Sequence, residues 1–316
     1  MSVKKKIPLN YVELENIDAH VRSINPIENT IRKQMPKLID ILLLDRTTST
    51  DKKPKNIIWG NDNYKKYGVK KYGAVAQIKS ELIIVNSENL IVPRSLKNRK
   101  LQKERTKSKA EIFTPTWVVK KQNDEVEKNY LEDDDLETYI KRTWLEITCG
   151  EAPYMATRYD METGEIIPLA ERVGFVDRKL ERINKEIIDK AEWHRLAEWA
   201  YKSSYGFEWN GDSLFLARKN LLYTYRDYYF NKWGEEPTQG LFESIAIIIS
   251  YNIFQMDGIK YIIPLSEKKE KVVEFQMSLF DLENESKEQW IIKPGRRVKI
   301  MNWSTNKMEF FDKGVK

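Results

Sequence analysis

The sequence predicts an α/β fold with a mainly parallel sheet, preceded by a smaller N-terminal α+β region. Three observations carry that expectation. Between residues 106 and 264, short apolar runs alternate with longer segments of helical period, as strands joined by helical crossovers do. Residues 56–105 hold several short β-type runs separated by Gly and Asn. Hydrophobic residues make up 41% of the 316, enough for one large core or two smaller ones.

In chain order, residues 31–44 (IRKQMPKLIDILLL) place apolar side chains at helical spacing after Pro36, which predicts a helix. Residues 46–55 are polar and read as a linker. NIIW at 56–59 and LIIV at 82–85 read as short buried strands, and 90–92 as another, with turn residues at 60–63 and 86–89. WLEI at 144–147 is strand-like and runs into Thr-Cys-Gly. VGFV at 173–176 is also strand-like and ends at Asp177. A helix is predicted over 180–201, with Ile183, Ile187, Ile188, Ala191 and Leu196 on one side, and others over 213–230 and 241–253. After residue 265 the chain is polar until strands at 298–301 and 308–311, which flank 304–306 and predict a hairpin. The implied organisation is 1–105, 106–264 and 265–316.

Lys and Arg number 54 against 48 Asp and Glu, a net charge of +6 that permits nucleic-acid contact without requiring it. The basic run at 97–109 (KNRKLQKERTKSK) offers Lys97, Arg99, Lys100 and Arg105 as phosphate contacts, or else is a solvated loop. The acidic run at 132–137 (EDDDLE) segregates the opposite charge. The single cysteine, Cys149, excludes an internal disulfide and a cysteine-based zinc site, and two histidines are few for a metal centre. No apolar stretch approaches the roughly 18 residues of a membrane span. No apolar signal core follows the basic N-terminus. A cytoplasmic protein without membrane association is expected.

The segment LEITCGEAPYMATRY at 145–159 has the shape of a nucleotide-type cofactor loop: a short strand with Glu146, a turn at Gly150, then small residues. It is neither GxGxxG nor GxxxxGK[ST]. Asp177 closes the next strand-like run, where a carboxylate accepts hydrogen bonds from ribose hydroxyls; it is equally placed to cap a following helix. In GFEWNGDSLFLARKN at 206–220, Asp212 is placed to accept from an adenine amino group, or again to cap a helix.

These motifs, in this order, resemble those of S-adenosylmethionine-dependent methyltransferases acting on the N6 amine of adenine in DNA, in the group identified as restriction endonuclease M subunits. EIFTPTW at 111–117 is similar to the family's FTP segment, and LEITCGE at 145–151 to its LEPSCGEG, with Ile147 for the Pro and Ala152 for the final Gly. The likeness extends from NIIWGNDNY at 56–64 to NIFQMDGIKYIIP at 252–264. It implies a Rossmann-like class I methyltransferase sheet with helices on both faces. It also implies that S-adenosylmethionine is held by Phe113, Thr114, Pro115, Glu146, Thr148, Cys149, Gly150, Asp177 and Asp212. The implied partners are double-stranded DNA and a restriction or specificity subunit.

The family's N/D-P-P-Y/F turn, which holds the target amine and stacks the flipped base, has no counterpart here, and Pro-Pro does not occur. Two stand-ins present themselves: Asn61 and Tyr64 in NDNY, which needs a permuted motif order, and Asn302 with Trp303 in MNW. Asp257 in NIFQMDG competes with Asp177 for the ribose. Three functions stay open: an active adenine methyltransferase, a catalytically incomplete binding module that needs a partner chain, and a nuclease using carboxylates such as Asp133–Asp135 or Glu208 with Asp212.

Overall fold

The computed structural model describes residues 36–85, 88–96, 114–130, 135–272 and 289–313. Helix α1 is described over Pro36–Leu43, within the span that the sequence marks as helical. Residues 31–35 lie outside the described set. The β-rich expectation for 56–105 is corrected over its described residues, 56–85 and 88–96. It holds a short helix α2 (Val69–Tyr72) and two-residue strands β1 (Ile84–Val85) and β2 (Glu88–Asn89). The run 56–59 forms isolated bridges rather than a strand. Its backbone is instead shared among several partners: Ile57 N–H donates to Leu43 O, Trp59 N–H to Ala76 O and Gly60 N–H to Ala74 O.

Helices α3 (Thr116–Glu127) and α4 (Leu136–Lys141) lead to strand β3 (Trp144–Glu146). Two helices follow, α5 (Phe175–Glu186) and α6 (Lys190–Lys202), where one was expected. The break is made by Asp189, whose carboxylate accepts from Glu192 N–H at 2.8 Å and caps α6. Ile188 consequently faces solvent rather than the apolar side. Strand β4 (Ser204–Glu208), helix α7 (Gly211–Trp233), helix α8 (Gln239–Asn252) and strand β5 (Ile253–Gln255) complete the centre. The strand expected at 173–176 is the start of α5. A short apolar run is compatible with either state, and capping by Asp177 decides it.

Strands β3, β4 and β5 form a parallel sheet in that order, with Glu146 opposite Gly206 and Glu208 opposite Gln255. Both crossovers are helical, as parallel pairing requires. Helix α7 is buried almost all round, the mark of a central helix. Arg218 within it is buried and donates to the carbonyls of Ile253 (2.7 Å), Leu42 (2.6 Å), Leu44 (2.9 Å) and Ser250 (3.1 Å). One guanidinium thus satisfies the carboxyl ends of α1 and α8 together. Leu42, Leu43, Ile57 and Trp59 share one apolar cluster with α7 and α8.

The two faces of the sheet differ. Phe207 and Phe254 pack with Met256, Ile263 and Val298 in a second cluster, joined by Tyr205, Ile300 and Phe311. The cover on this side comes from the C-terminal segment, including the expected hairpin, found as β8 (Lys299–Asn302) and β9 (Lys307–Phe310) after an antiparallel pair β6 (Lys268–Val272) and β7 (Gln289–Lys293). Helices had been expected on both faces. No helix among the described residues is long and apolar enough to cross a membrane.

Candidate cofactor site at the carboxyl edge of the sheet

The chain leaving β3 makes three left-handed turns in quick succession, at Thr148 (φ 48°), Gly150 (φ 55°) and Ala152 (φ 62°). Left-handed backbone costs a non-glycine residue roughly 1–2 kcal/mol, so this loop is held by its surroundings. Glu146 accepts the N–H groups of Tyr154 (3.3 Å) and Met155 (3.1 Å). Asn220 of α7 donates to the carbonyls of Glu151 (3.2 Å) and Ala156 (3.0 Å). Glu151 accepts from Arg94 N–H (2.9 Å) and the Tyr159 hydroxyl (2.7 Å). Cys149 N–H donates to Phe207 O at 2.8 Å, which continues the β3–β4 pairing for one more residue.

Glu208, at the end of β4, closes the loop from the other side. Its Oε2 accepts the Gly150 N–H at 3.0 Å, and its Oε1 accepts both N–H (2.9 Å) and Nδ2 (3.1 Å) of Asn210. A Cβ added to Gly150 would meet nothing within 4 Å, so the space above the turn is open. The Gly150 N–H and the strand-end Glu208 carboxylate therefore meet at the carboxyl edge of the sheet, the place of the ligand crevice in open α/β sheets. Burial pushes the Glu146 carboxyl up to about 8, with Glu208 adding repulsion against the two backbone donors. Burial likewise raises Glu208, opposed by its Asn210 and Gly150 hydrogen bonds and reinforced by Asp212. The Cys149 thiol is raised well above its ordinary value by burial and by both glutamates, so it is no nucleophile.

The residues singled out in the sequence fall into distinct groups. Glu146, Thr148, Cys149 and Gly150 lie together on the loop. Thr114 and Pro115 lead into α3, with Pro115 as its N-cap residue, and Thr116 Oγ1 donates to Asp160 Oδ2 at 2.7 Å. Asn123 of α3 donates to Tyr154 O and Val173 O, both at 3.0 Å, so this helix is docked on the segment that follows the loop. Phe113 and the basic residues Lys97, Arg99, Lys100 and Arg105 lie outside the described residues.

The geometry corrects the reading of Asp177 as an acid at a strand end. It sits in the first turn of α5, wholly buried, and its Oδ2 accepts from Thr157 N–H (2.8 Å), Thr157 Oγ1 (3.2 Å) and Gly174 N–H (3.2 Å). Burial raises its carboxyl to about 6 in spite of Arg172 and these donors. It caps the helix through Oδ2, and its Oδ1 is buried without a hydrogen-bond partner. Asp257 follows β5 and accepts from Ile259 (2.9 Å) and Lys260 (3.1 Å) N–H, the bonding of a turn residue.

Asn61, Tyr64 and Asp212 come together, but as a closed cluster. Asn61 Nδ2 donates to Trp59 O (3.2 Å), Asn210 Oδ1 (3.0 Å) and Asp212 Oδ1 (3.2 Å), and the Tyr64 hydroxyl donates to Asp212 Oδ2 (2.9 Å). The Tyr64 ring is buried 4.5 Å from that of Trp59. Both side chains of the NDNY stand-in are thus buried and engaged within the protein. The other stand-in is also engaged: Asn302 Oδ1 accepts from Ser304 and Thr305 N–H, and Trp303 Nε1 donates to Asn252 Oδ1 at 2.8 Å.

Glu208 is the strand-end acid beside the loop that sequence reasoning missed, having paired it with Asp212 as metal-site carboxylates. Its signal was the step from SYGFE directly into a helix bearing Ala217, Arg218 and Asn220. Among the described residues no three His, Cys, Asp or Glu side chains lie close enough to hold a metal ion. Asp135, the described member of the acidic trio, caps α4 by accepting Thr138 N–H at 2.7 Å. Comparison with family models, with curated proteins and with solved structures finds no match to this chain.

Proposed function

We propose that this chain binds S-adenosylmethionine at the carboxyl edge of β3 and β4 and serves methyl transfer to the N6 amine of adenine in DNA, as part of a restriction–modification system. The observation that carries the reading is the juxtaposition of Gly150 and Glu208 across 3.0 Å beside open space. A strand-end carboxylate next to a glycine turn is what a ribose hydroxyl needs. Order β3-β4-β5 with helical crossovers supports one half of a Rossmann-like sheet. When bound, S-adenosylmethionine supplies an electrophilic methyl group. Glu208 then takes the ribose role expected of Asp177, while the Gly150 loop backs the cofactor and α3 lies beside it.

The test is calorimetric titration with S-adenosylhomocysteine, comparing wild type with Glu208→Ala and Asp177→Ala. Binding at micromolar strength, lost in the Glu208 variant, supports the assignment. A folded wild-type protein that does not bind removes it.

A second reading, in which a partner chain completes catalysis, is favoured by the sealed Asn61–Tyr64–Asp212 cluster. Transfer of labelled methyl groups from S-adenosylmethionine to double-stranded DNA by the purified chain alone decides against it. Transfer only on addition of a restriction or specificity subunit decides for it.

A further inference from the structure

The carboxylate of Glu208 is aimed by a relay of amides that begins in the N-terminal segment. Asn63 N–H donates to Asn61 Oδ1 at 3.0 Å, which leaves Asn61 one orientation: its Nδ2 faces Asn210 and Asp212. Asn61 Nδ2 in turn holds Asn210 Oδ1 at 3.0 Å, so Asn210 must turn its own Nδ2 toward Glu208 Oε1, 3.1 Å away. An amide has a donor end and an acceptor end. Each link therefore sets the direction of the next, and reversal of Asn210 would bring its carbonyl oxygen against a carboxylate oxygen.

The acceptor count sharpens the point. A carboxylate offers about four acceptor positions. Three are filled: two on Oε1 by Asn210, one on Oε2 by Gly150. The remaining position is on Oε2, the oxygen that holds the Gly150 N–H, and the Cβ direction of that glycine is open. We propose that Asn210 and Asn61 are positioning residues that present this one Oε2 lone pair to a ribose hydroxyl. The inference rests on the cofactor site proposed above and gives Asn61 a different role from the catalytic one that NDNY suggested. Asn61 acts through Asn210 and touches no ligand.

The experiment measures affinity for S-adenosylhomocysteine and for its analogue lacking the ribose 2′ and 3′ hydroxyls, in wild type, Asn210→Ala and Asn61→Ala, with thermal unfolding of each. The wild type is expected to prefer the hydroxylated ligand by about tenfold or more, the scale of a hydrogen bond to a charged group. Both variants should narrow that preference to within about twofold, by weaker binding of S-adenosylhomocysteine at unchanged affinity for the analogue. Parallel weakening of both ligands shows a merely structural role and overturns the proposal. An unchanged preference in the variants overturns it too, while leaving the cofactor site standing. A folded wild type that binds neither ligand removes the cofactor site and this proposal with it. Should Asn61→Ala fail to fold, the half-buried Asn210 carries the test alone.

Discussion

The Tyr64 hydroxyl donates to Oδ2 of Asp212 at 2.9 Å, joining buried groups 148 residues apart in the chain. This bond and the Asn61 amide fasten the N-terminal segment to the first turn of α7. Loss of a buried hydrogen bond to a charged group costs about 1.5–3 kcal/mol. Tyr64→Phe keeps the ring against Trp59 and removes only that donor. Urea unfolding should show a loss in this range with an unchanged denaturant slope; a loss under about 0.5 kcal/mol, the scale of surface substitutions, would contradict the bond's role.

Two glycines separate packing from access. A Cβ at Gly211 would lie 2.0 Å from Ile58 O, whereas one at Gly150 meets nothing within 4 Å. Gly211→Ala should therefore unfold the protein or separate the N-terminal segment from α7. Gly150→Ala should cost only the left-handed backbone penalty of about 1 kcal/mol, yet weaken S-adenosylhomocysteine binding by tenfold or more, through the methyl group placed in the crevice. Thermal melts and titration of the two variants check this contrast.

Stability should fall with rising pH because of Glu146. Its carboxyl is raised from 4.5 to about 8 in the folded protein, chiefly by burial. Between those values the folded state keeps a proton that the unfolded chain has released. The unfolded state thus binds fewer protons, and each pH unit spent wholly inside that window removes about 1.4 kcal/mol. The difference in unfolding free energy between wild type and Glu146→Gln should decline across this window and level off above it. A flat difference would show that the backbone donors of Tyr154 and Met155 hold Glu146 ionised throughout.

Arg218 is the tie between α1, α8 and β5. Arg218→Met preserves much of its volume but leaves the carbonyls of Leu42, Leu44, Ile253 and Ser250 without this donor. Stranding buried acceptors costs about 1–3 kcal/mol each. The expected outcome is a loss of at least 3 kcal/mol or failure to fold, read by circular dichroism and urea unfolding. A near-wild-type melt would mean that α1 docks by its apolar face alone.

Helices α7 and α8, strand β3 and the C-terminal hairpin were legible because each has its own period or turn. Strands β4 and β5 were not. Each starts within two residues of the end of a helix, and β5 is only three residues long. The junctions are made by side chains remote from any pattern: Asn252 Nδ2 donates to the carbonyls of Tyr201, Lys202 and Ser204. With β4 unseen, Glu208 could not be recognised as a strand-end acid.

The sequence by itself determined the α/β class, the glycine loop at 148–152 with Glu146 beneath it, and the main helices, since these follow from local period, turn chemistry and capping. Only the tertiary structure decided which carboxylate faces that loop and that Asn61, Tyr64 and Asp212 close on one another. The physical reason is that an acid's surroundings are set by where folding places it. Asp177 is wholly buried in the first turn of α5 with its Oδ2 on Thr157 and Gly174, while Glu208 ends a strand with its Oε2 on the Gly150 N–H of the loop. Spacing along the chain carries no record of that difference.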